Sequence, residues 1–421
     1  MRAVTREVPV RDPLAWFAAG AGEGEGFYWE RPDAGLALAA CGCVAALEAA
    51  GPDRFARLDA GSRRLLGEIE AEGDAPAGVG ARLVGGFAFG DAAPGPGWRG
   101  FPAARFVLPA RLLVVRGGRC FLTTCGSAPA SAPARRAPSD LEACDQAARV
   151  GMSADRSARR YLRSVEAALR AIGRGDLEKV VLARSVRVEA MRDYDVPGLL
   201  AGLRATHPGA TTFAVARGGA AFLGATPERL VSLDGRSVET AALAGTRPRG
   251  RNPEEDARLA RQLVESKKEQ AEHAVVVRAL RAALDPCCRR LDLPEAPRLR
   301  SLDGVQHLET PLVGELREPL GIFALAGRLH PTPAVGGAPS AAAVRWIAAH
   351  EGLDRGWYGG AVGHVGPEGG DLAVALRSAL LRGGCASCFA GAGIVAGSSP
   401  AAEWNETRWK LRTLLSPLLE L

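Results

Sequence analysis

Short apolar runs separated by small polar turns dominate the pattern of this chain. Three of these turns, Gly117-Gly118, Gly218-Gly219 and Asp234-Gly235, have the residue chemistry of two-residue loops, which join antiparallel strands because they match strand twist. Segments 357–366 and 370–381 form a further predicted antiparallel pair. The pattern therefore predicts a large proportion of antiparallel sheet.

Helical periodicity appears between these strands, most clearly over residues 252–284. Asn252 is a predicted N-cap, with Glu255 three residues further on, and the pattern stops before Pro286. Because this stretch is long for one helix, we predict a break near Glu265-Ser266. Two further helices are predicted, one ending at Gly352 and a last one opened by Ser399-Pro400. The fold class is therefore α+β, and not a doubly wound parallel sheet.

A stretch rich in Pro, Ala and Ser at 126–140 has the composition of a linker. It separates an N-terminal part, 1–150, from a C-terminal part, 151–421, which carries nearly all the polar residues in unusual settings. We take this as the predicted division of the chain.

Composition and charge exclude several classes of protein. The chain has 421 residues, 47% hydrophobic and 24% charged, which suits a globular protein with a sizeable core. The net charge of +6 comes without a basic stripe interleaved with aromatic residues, so we predict no nucleic-acid partner. There is no apolar run long enough for a signal peptide or a membrane span. Nine cysteines, an odd number, are then expected to be reduced, and we predict a cytoplasmic protein without a membrane partner.

Lysine is rare in this sequence, with four residues among 53 basic ones, yet Lys179 opens the apolar strand Val180-Val181-Leu182-Ala183. A lysine can act as a general base when burial and nearby cations keep it neutral part of the time, whereas an arginine cannot lose its proton. Glu228, between two predicted strands, could supply the matching acid. The alternative for Glu228 is an ion pair with Arg229 or Arg247.

The last helix places Glu403, Glu406 and Lys410 on one face, through spacings of three and four residues. A surface ion pair between Glu406 and Lys410 is the simpler interpretation. The preceding segment, however, is rich in small residues. Gly391 and Gly393 there would let a ligand carboxylate approach the backbone N–H groups.

Glu272 stands directly before the apolar run "HAVVV", so its carboxylate could point inward. Alternating charge in this helix would ordinarily indicate a solvated face. Two inward carboxylates from different helices, Glu272 and Glu406, would be costly to bury unless they share a cation. Oxygen ligands with open positions suit Mg²⁺.

Arg377 is predicted to lie inside the strand 370–381, on a face that it shares with small residues. An arginine is an unusual choice for packing against small side chains. It is well suited to binding a carboxylate within a cavity.

Several motifs, taken in order, resemble those of the chorismate-utilising enzymes. They include "EKVVLAR", "FLGATPERL", "TAALAGTRPRG", "ESKKEQAEH", "HPTPAVGGAP", "GWYGGAVG", "LAVALRS" and "FAGAGIVAGSSPAAEWNETRWKL". The resemblance covers about residues 155–420, and 1–150 match loosely. It implies a fold of two stacked antiparallel β-sheets flanked by helices, and chorismate as the small-molecule partner.

The resemblance also implies a role for each matching residue. Lys179 corresponds to the general base and Glu228 to the general acid. Glu272 and Glu406 correspond to Mg²⁺ ligands, with Glu403 reaching the metal through water. The positions that correspond to substrate contacts are Gly245, Thr246, Ala334, Val335, Arg377, Gly391, Gly393 and Lys410.

The implied reaction is the Mg²⁺-dependent isomerisation of chorismate to isochorismate, as in the isochorismate synthase branch. A salicylate synthase, which shares the lysine and goes on to eliminate pyruvate, is the nearest alternative. Lys179 argues against an ammonia-using synthase, so no glutaminase subunit is expected. A catalytically silent chorismate-binding protein would lack one of the residues that correspond to the base, the acid and the metal ligands. None is missing among Lys179, Glu228, Glu272 and Glu406. Menaquinone, siderophore and salicylate pathways all remain open.

Overall fold

The computed structural model describes residues 1–20, 24–73, 76, 78–126, 151–302 and 304–419. The α-helices in this part of the chain are α1 (Pro13–Gly20), α2 (Arg54–Gly67), α3 (Ala158–Gly173), α4 (Val196–Thr206), α5 (Pro253–Glu265), α6 (Lys267–Leu284), α7 (Ile322–Leu329), α8 (Ser340–His350) and α9 (Pro400–Leu419).

The strands form two sheets. The first sheet contains β1 (Arg2–Val8), β2 (Glu25–Arg31), β3 (Leu36–Cys41), β5 (Glu70–Glu72), β8 (Arg111–Arg116), β9 (Arg119–Cys125), β10 (Gly151–Ala154), β11 (Lys179–Glu189), β12 (Thr211–Arg217), β13 (Ala220–Thr226), β19 (Gly337–Ala338), β22 (Ser378–Arg382) and β23 (Cys385–Val395). The second contains β4 (Ala45–Glu48), β6 (Leu83–Phe87), β7 (Ala104–Leu108), β14 (Arg229–Asp234), β15 (Ser237–Pro248), β16 (Cys288–Asp292), β17 (Arg298–Ser301), β18 (Val305–Leu316), β20 (Ala361–Gly366) and β21 (Gly369–Val374).

The order of the first sheet is β10-β11-β23-β22-β13-β12-β2-β3-β8-β9-β1-β5, with β19 added beside β11. The order of the second is β16-β18-β15-β14-β21-β20-β6-β7-β4, with β17 beside β18. Neighbouring strands are antiparallel except β1 and β5, which are parallel. The predicted α+β class with mainly antiparallel sheets is confirmed.

The sheets stack on each other, and helices cover their outer faces. Phe27 and Trp29 of the first sheet share a core with Val84 and Val362 of the second. On the outer side of the second sheet, another core holds residues from α2, α6 and α7. The outer side of the first sheet packs on α1, α4 and α9 in one core, and on α3 and α8 in another. The result is four layers, with apolar faces buried between them.

Turn chemistry and helix caps account for several of these boundaries. Gly117-Gly118 and Gly218-Gly219 connect hairpins with positive φ at both residues, as the favoured two-residue turn requires. The third predicted turn lies one residue later, because β14 runs to Asp234. The predicted helix break is also confirmed: α5 ends at Glu265, and the side chain of Ser266 caps α6 by accepting the N–H of Glu269.

The prediction that residues 370–381 form one strand is wrong. Strand β21 ends at Val374 in the second sheet, and β22 starts at Ser378 in the first. The chain changes sheet through Ala375–Arg377, where Arg377 has φ 45°, a left-handed conformation that is costly for a side chain other than glycine. The apolar alternation continues through this crossing, which is why the sequence resembles a single strand.

Strands from residues 1–126 enter both sheets, so the two predicted parts of the chain share one architecture. Apart from Gly126, the predicted linker 126–140 lies outside the described residues. The division at residue 150 therefore stays a prediction. Among the helices described here, none has both the length and the apolar character needed to cross a membrane.

Candidate active site

A cavity that opens to solvent is lined by side chains from both sheets and from two helices. All of the site residues predicted from the sequence line it except Glu403 and Glu406, which are buried in the adjacent first turns of α9. The predicted residues in its wall are Lys179, Glu228, Gly245, Thr246, Glu272, Ala334, Val335, Arg377, Gly391, Gly393 and Lys410.

Lys179 is the first residue of β11, and its side chain is 1% exposed. Its Nζ lies 3.0 Å from Oε1 of Glu272, so the lone lysine of this strand forms a buried ion pair. Gly393 on β23 makes room for the pair, since a Cβ there would lie 2.1 Å from Glu272 Oε1 and 2.9 Å from Lys179 Cε. Glu272 has its pKa held well below the ordinary value, because Lys179 and Lys268 outweigh the effect of burial.

Lys268 was not singled out in the sequence, yet it lies among three carboxylates. Its Nζ is 3.3 Å from Glu272, 3.4 Å from Glu269 and 3.2 Å from Glu403. Burial alone would lower the pKa of Lys268, but these carboxylates raise it. The ammonium group is therefore a resident cation at the place where two of the predicted metal ligands, Glu272 and Glu403, approach each other.

The acidic face of α9 is buried, not solvated. Glu406 Oε1 lies 2.7 Å from Lys410 Nζ, which also donates to the carbonyl oxygen of Gly391 at 3.0 Å. Burial and the neighbouring Glu406 raise the pKa of Glu403 to about 7. Within the described ranges, no group of three or more His, Cys, Asp or Glu residues is spaced to hold a metal ion as the side chains now lie.

Glu228 lies in the link between β13 and β14 and is 5% exposed. Its backbone is fixed, since its carbonyl oxygen accepts the N–H of Val374 at 2.9 Å. The hydroxyl of Thr332 donates to its carboxylate at 3.4 Å. Burial raises the pKa of Glu228 to about 7, although Lys179, Lys410 and this hydrogen bond act in the opposite direction.

Arg377 points its guanidinium toward the cavity from the crossing between the sheets, and its Nη2 donates to Nε2 of His307 at 2.8 Å. The other ring nitrogen, Nδ1, lies 3.1 Å from the carbonyl oxygen of Gly245. Burial, Arg377 and Lys410 lower the pKa of His307 well below its ordinary value. A neutral ring with its proton on Nδ1 satisfies both contacts, and it holds Arg377 in place.

Gly245 and Thr246 form an irregular point in β15, where the pairing with β18 shifts register. Gly245 has φ +74°, and a Cβ there would lie 3.3 Å from the side chain of Glu269. The N–H of Thr246 donates to Glu269 Oε2 at 3.1 Å. This segment of backbone is therefore joined to the first turn of α6, next to the acidic cluster.

The turn that carries Ala334 and Val335 is held by a buried ion pair. Arg355 pairs with Glu351 at 2.6 Å, and its Nη1 donates to the carbonyl oxygen of Val335 at 2.8 Å. The same guanidinium donates to the carbonyl oxygen of Val181 on β11. This arrangement fixes the turn against the strand that begins with Lys179.

Among the site residues that were missed in the sequence are four with polar or charged side chains. Lys268 could have been found, because it is one of only four lysines and stands four residues before Glu272. Tyr358 lies in the motif "GWYGGAVG", which does not by itself mark this residue, whereas His307 and Arg355 lie in segments with no distinctive spacing. The fold brings all three to the cavity.

The sequence and the fold both match known proteins. The sequence model of a family described as chorismate binding enzyme matches residues 1–419. The chain is 39% identical to the salicylate biosynthesis isochorismate synthase of Pseudomonas aeruginosa, over 99% of this chain and 90% of that protein. It is 33% identical to isochorismate synthase MenF of Bacillus subtilis, over 98% and 92% respectively.

A solved structure, the menaquinone-specific isochorismate synthase MenF of Escherichia coli, superposes with a TM-score of 0.80 at 25% identity. The match covers 98% of this chain and 94% of that one. The chain therefore belongs to the chorismate-binding enzyme family.

Proposed function

We propose that this chain is an isochorismate synthase, an isomerase that converts chorismate to isochorismate. The observation that carries the proposal is that a lysine and a protonatable carboxylic acid, Lys179 and Glu228, line one cavity together with the cations Arg377 and Lys410. Chorismate is a ring with two carboxylates, so such a cavity suits it. The names of the relatives support the same reaction.

In the proposed reaction, Lys179 takes a proton from water, and the resulting hydroxide bonds to C2 of the ring. The ring double bonds shift, and the C4–O bond breaks. Glu228 gives its proton to the departing hydroxyl, which leaves as water. A pKa of about 7 leaves much of Glu228 protonated near neutral pH, as an acid requires.

Lys179 must accept a proton to act as a base, yet its Nζ lies 3.0 Å from Oε1 of Glu272 in a buried ion pair. A cation that engages Glu272 would weaken this pairing. The base role of Lys179 is thus tied to what Glu272 binds.

We propose Mg²⁺ as that cation, held by Glu272 and Glu406, with Glu403 reaching the metal through water. The donor set fits, because all three are buried carboxylates and a cation, Lys268, already pairs with Glu272 and Glu403. The ammonium of Lys268 would have to withdraw to leave room. When bound, Mg²⁺ would neutralise a substrate carboxylate and fix its position.

Arg377 and Lys410 are the proposed anchors for the substrate carboxylates, with the backbone at Gly391 and Gly393 beside them. The turn at Ala334 and Val335 supplies an apolar wall. Gly245 and Thr246 are proposed as further contacts. We also propose that the protein acts in the cytoplasm on free chorismate, without a glutaminase subunit, since the chemistry uses water and not ammonia.

Product analysis tests the proposal. Purified protein with chorismate and Mg²⁺ should give isochorismate, separated by chromatography, without pyruvate. Release of stoichiometric pyruvate together with salicylate would make the chain a salicylate synthase. Absence of any turnover in the folded protein would contradict both.

A further inference from the structure

A second cavity, wide open to solvent, lies on the outer side of α9 and is separate from the candidate active site. Strands β10 and β11, the start of α3 and one face of α9 line it. It contains four arginines and no aspartate or glutamate among the described residues of its wall, and the arginines are Arg156, Arg184, Arg408 and Arg412. Such a concentration of one sign of charge attracts an anion.

Two of these arginines are buried, which distinguishes the cavity from an ordinary basic surface. Arg156 is 4% exposed, and its Nη1 has no hydrogen-bond partner among the described residues, although its Nε lies 3.2 Å from Asp155. A buried donor without an acceptor costs free energy that a bound anion would recover.

Arg184 is 3% exposed, and two residues of α9 hold its guanidinium in place. Its Nε donates to Thr407 at 2.8 Å, and its guanidinium lies 4.0 Å from the centre of the Trp404 ring. Burial lowers the pKa of Arg184, and the charge of Arg408 acts in the same direction. An anion between these guanidinium groups would offset both effects.

The first turn of α3 borders the same cavity. Ser157 caps this 16-residue helix, and its side chain accepts the N–H of Arg160. The N–H groups ahead of that bond have no acceptor within the helix, and the helix dipole favours negative charge at this end. The N–H groups at this end of α3 and the unpaired Nη1 of Arg156 therefore offer hydrogen-bond donors to an anion.

The remaining wall is mainly apolar, and Ser153 is a polar residue within it. Leu411 and Leu415 follow Trp404 along α9 at helical spacing, and Val186 faces them from β11. A ligand that fills this space needs a charged group at the arginines and an apolar body beside the leucines.

We propose that this cavity binds a small organic anion, consisting of a phosphate or carboxylate group attached to an apolar body such as an aromatic ring. The anionic group lies against Arg156 and Arg184, and the ring lies along the apolar residues of α9. Arg408 and Arg412, which are exposed, complete the charge at the entrance.

Calorimetric titration with three probes tests the proposal. Phenyl phosphate and benzoate carry the ring with different anionic groups, and inorganic phosphate lacks the ring. We expect saturable binding of at least one ring-bearing probe, more tightly than inorganic phosphate; the stronger of the two identifies the anionic group. Equal binding of all three would refute the role of the ring, and no binding at millimolar concentrations would refute the site.

Variants locate the binding. Arg156→Gln and Arg408→Gln should each weaken it at least about tenfold, as expected for loss of a charged hydrogen bond. Arg159→Gln is the matched control, because it removes one exposed charge from the same end of α3 without touching the cavity. Thermal unfolding checks that the Arg156 variant is folded, and Arg408 is exposed enough to test the site without this concern.

Arg377→Ala separates the new cavity from the candidate active site, whose cations could also bind a ring carboxylate. Binding that survives Arg377→Ala and Arg159→Gln but falls in Arg156→Gln and Arg408→Gln supports the proposal. Binding lost in Arg377→Ala belongs to the other cavity, and an equal loss in Arg159→Gln means non-specific attraction. Either result overturns the assignment.

Discussion

Glu228→Gln tests whether the proposed acid is held protonated by the fold. The substitution keeps the shape of the side chain and removes its ability to ionise. Burial raises the pKa of Glu228 to about 7 from an ordinary value of 4.5, which corresponds to about 3 kcal/mol. That is the free energy by which the folded protein disfavours the ionised carboxylate.

The direction in which Glu228 changes the stability with pH follows from proton binding. Because the pKa is higher in the folded state, the folded protein binds this proton more tightly than the unfolded chain does. The contribution of Glu228 to stability is therefore fully present below pH 4.5 and is lost as the pH rises through 7. Glutamine cannot ionise, so the stability of the variant relative to the wild type should increase by about 3 kcal/mol between pH 4.5 and pH 8.

Urea unfolding of both proteins across this pH range measures the difference. Other buried acids, such as Glu403, titrate in both proteins, so their contributions cancel when the two curves are subtracted. Glu166→Gln, an exposed position on α3, is the control and should give no such slope. A flat difference for Glu228→Gln would refute the reasoning. In turnover of chorismate, the folded variant should lose about 10²–10⁴-fold in kcat.

Three further variants test the other proposed roles. Lys179→Arg keeps the positive charge, but an arginine cannot give up its proton, so chromatography of the products should show that turnover falls by about 10²-fold or more. Near wild-type turnover would exclude Lys179 as the base. A chelator should abolish wild-type activity and added Mg²⁺ restore it, while Glu272→Gln should need far more Mg²⁺; full activity in the chelator would contradict a metal requirement. Arg377→Ala should raise KM and lower kcat/KM much more than Arg290→Ala, an exposed control whose side chain is 75% accessible; equal small effects in steady-state kinetics would make Arg377 a structural residue.

Features set by neighbouring residues could be predicted from the sequence. The hairpin turns at Gly117-Gly118 and Gly218-Gly219 depend on local backbone conformation, and the break at Ser266 depends on a local cap. Eleven of the predicted site residues, which ordered motifs marked, also line one cavity, and Glu403 and Glu406 lie beside it.

Features set by the stacking of the sheets could not be predicted in this way. The sequence pattern predicts Arg377 inside a strand, because apolar alternation continues across the point where the chain changes sheet. The rarity and spacing of Lys268 could have marked it as a partner of Glu272, but nothing in α6 alone reveals that Glu403 of α9 packs against it. In both cases the deciding contact comes from a segment distant in sequence.

The environment of Lys179 explains why this position has lysine in a chain that uses arginine almost everywhere else. Its Cε and the carboxylate of Glu272 fill the space where Gly393 has no side chain, and a single Cβ there would collide with both. A guanidinium is larger than an ammonium and cannot be deprotonated, so it would fit this space poorly and serve no base. Gly393 is thus required because the ion pair of Lys179 and Glu272 occupies the space that a side chain would need. Any group that draws Glu272 away, whether Lys268 or a metal ion, acts directly on the lysine that the proposed reaction needs in neutral form.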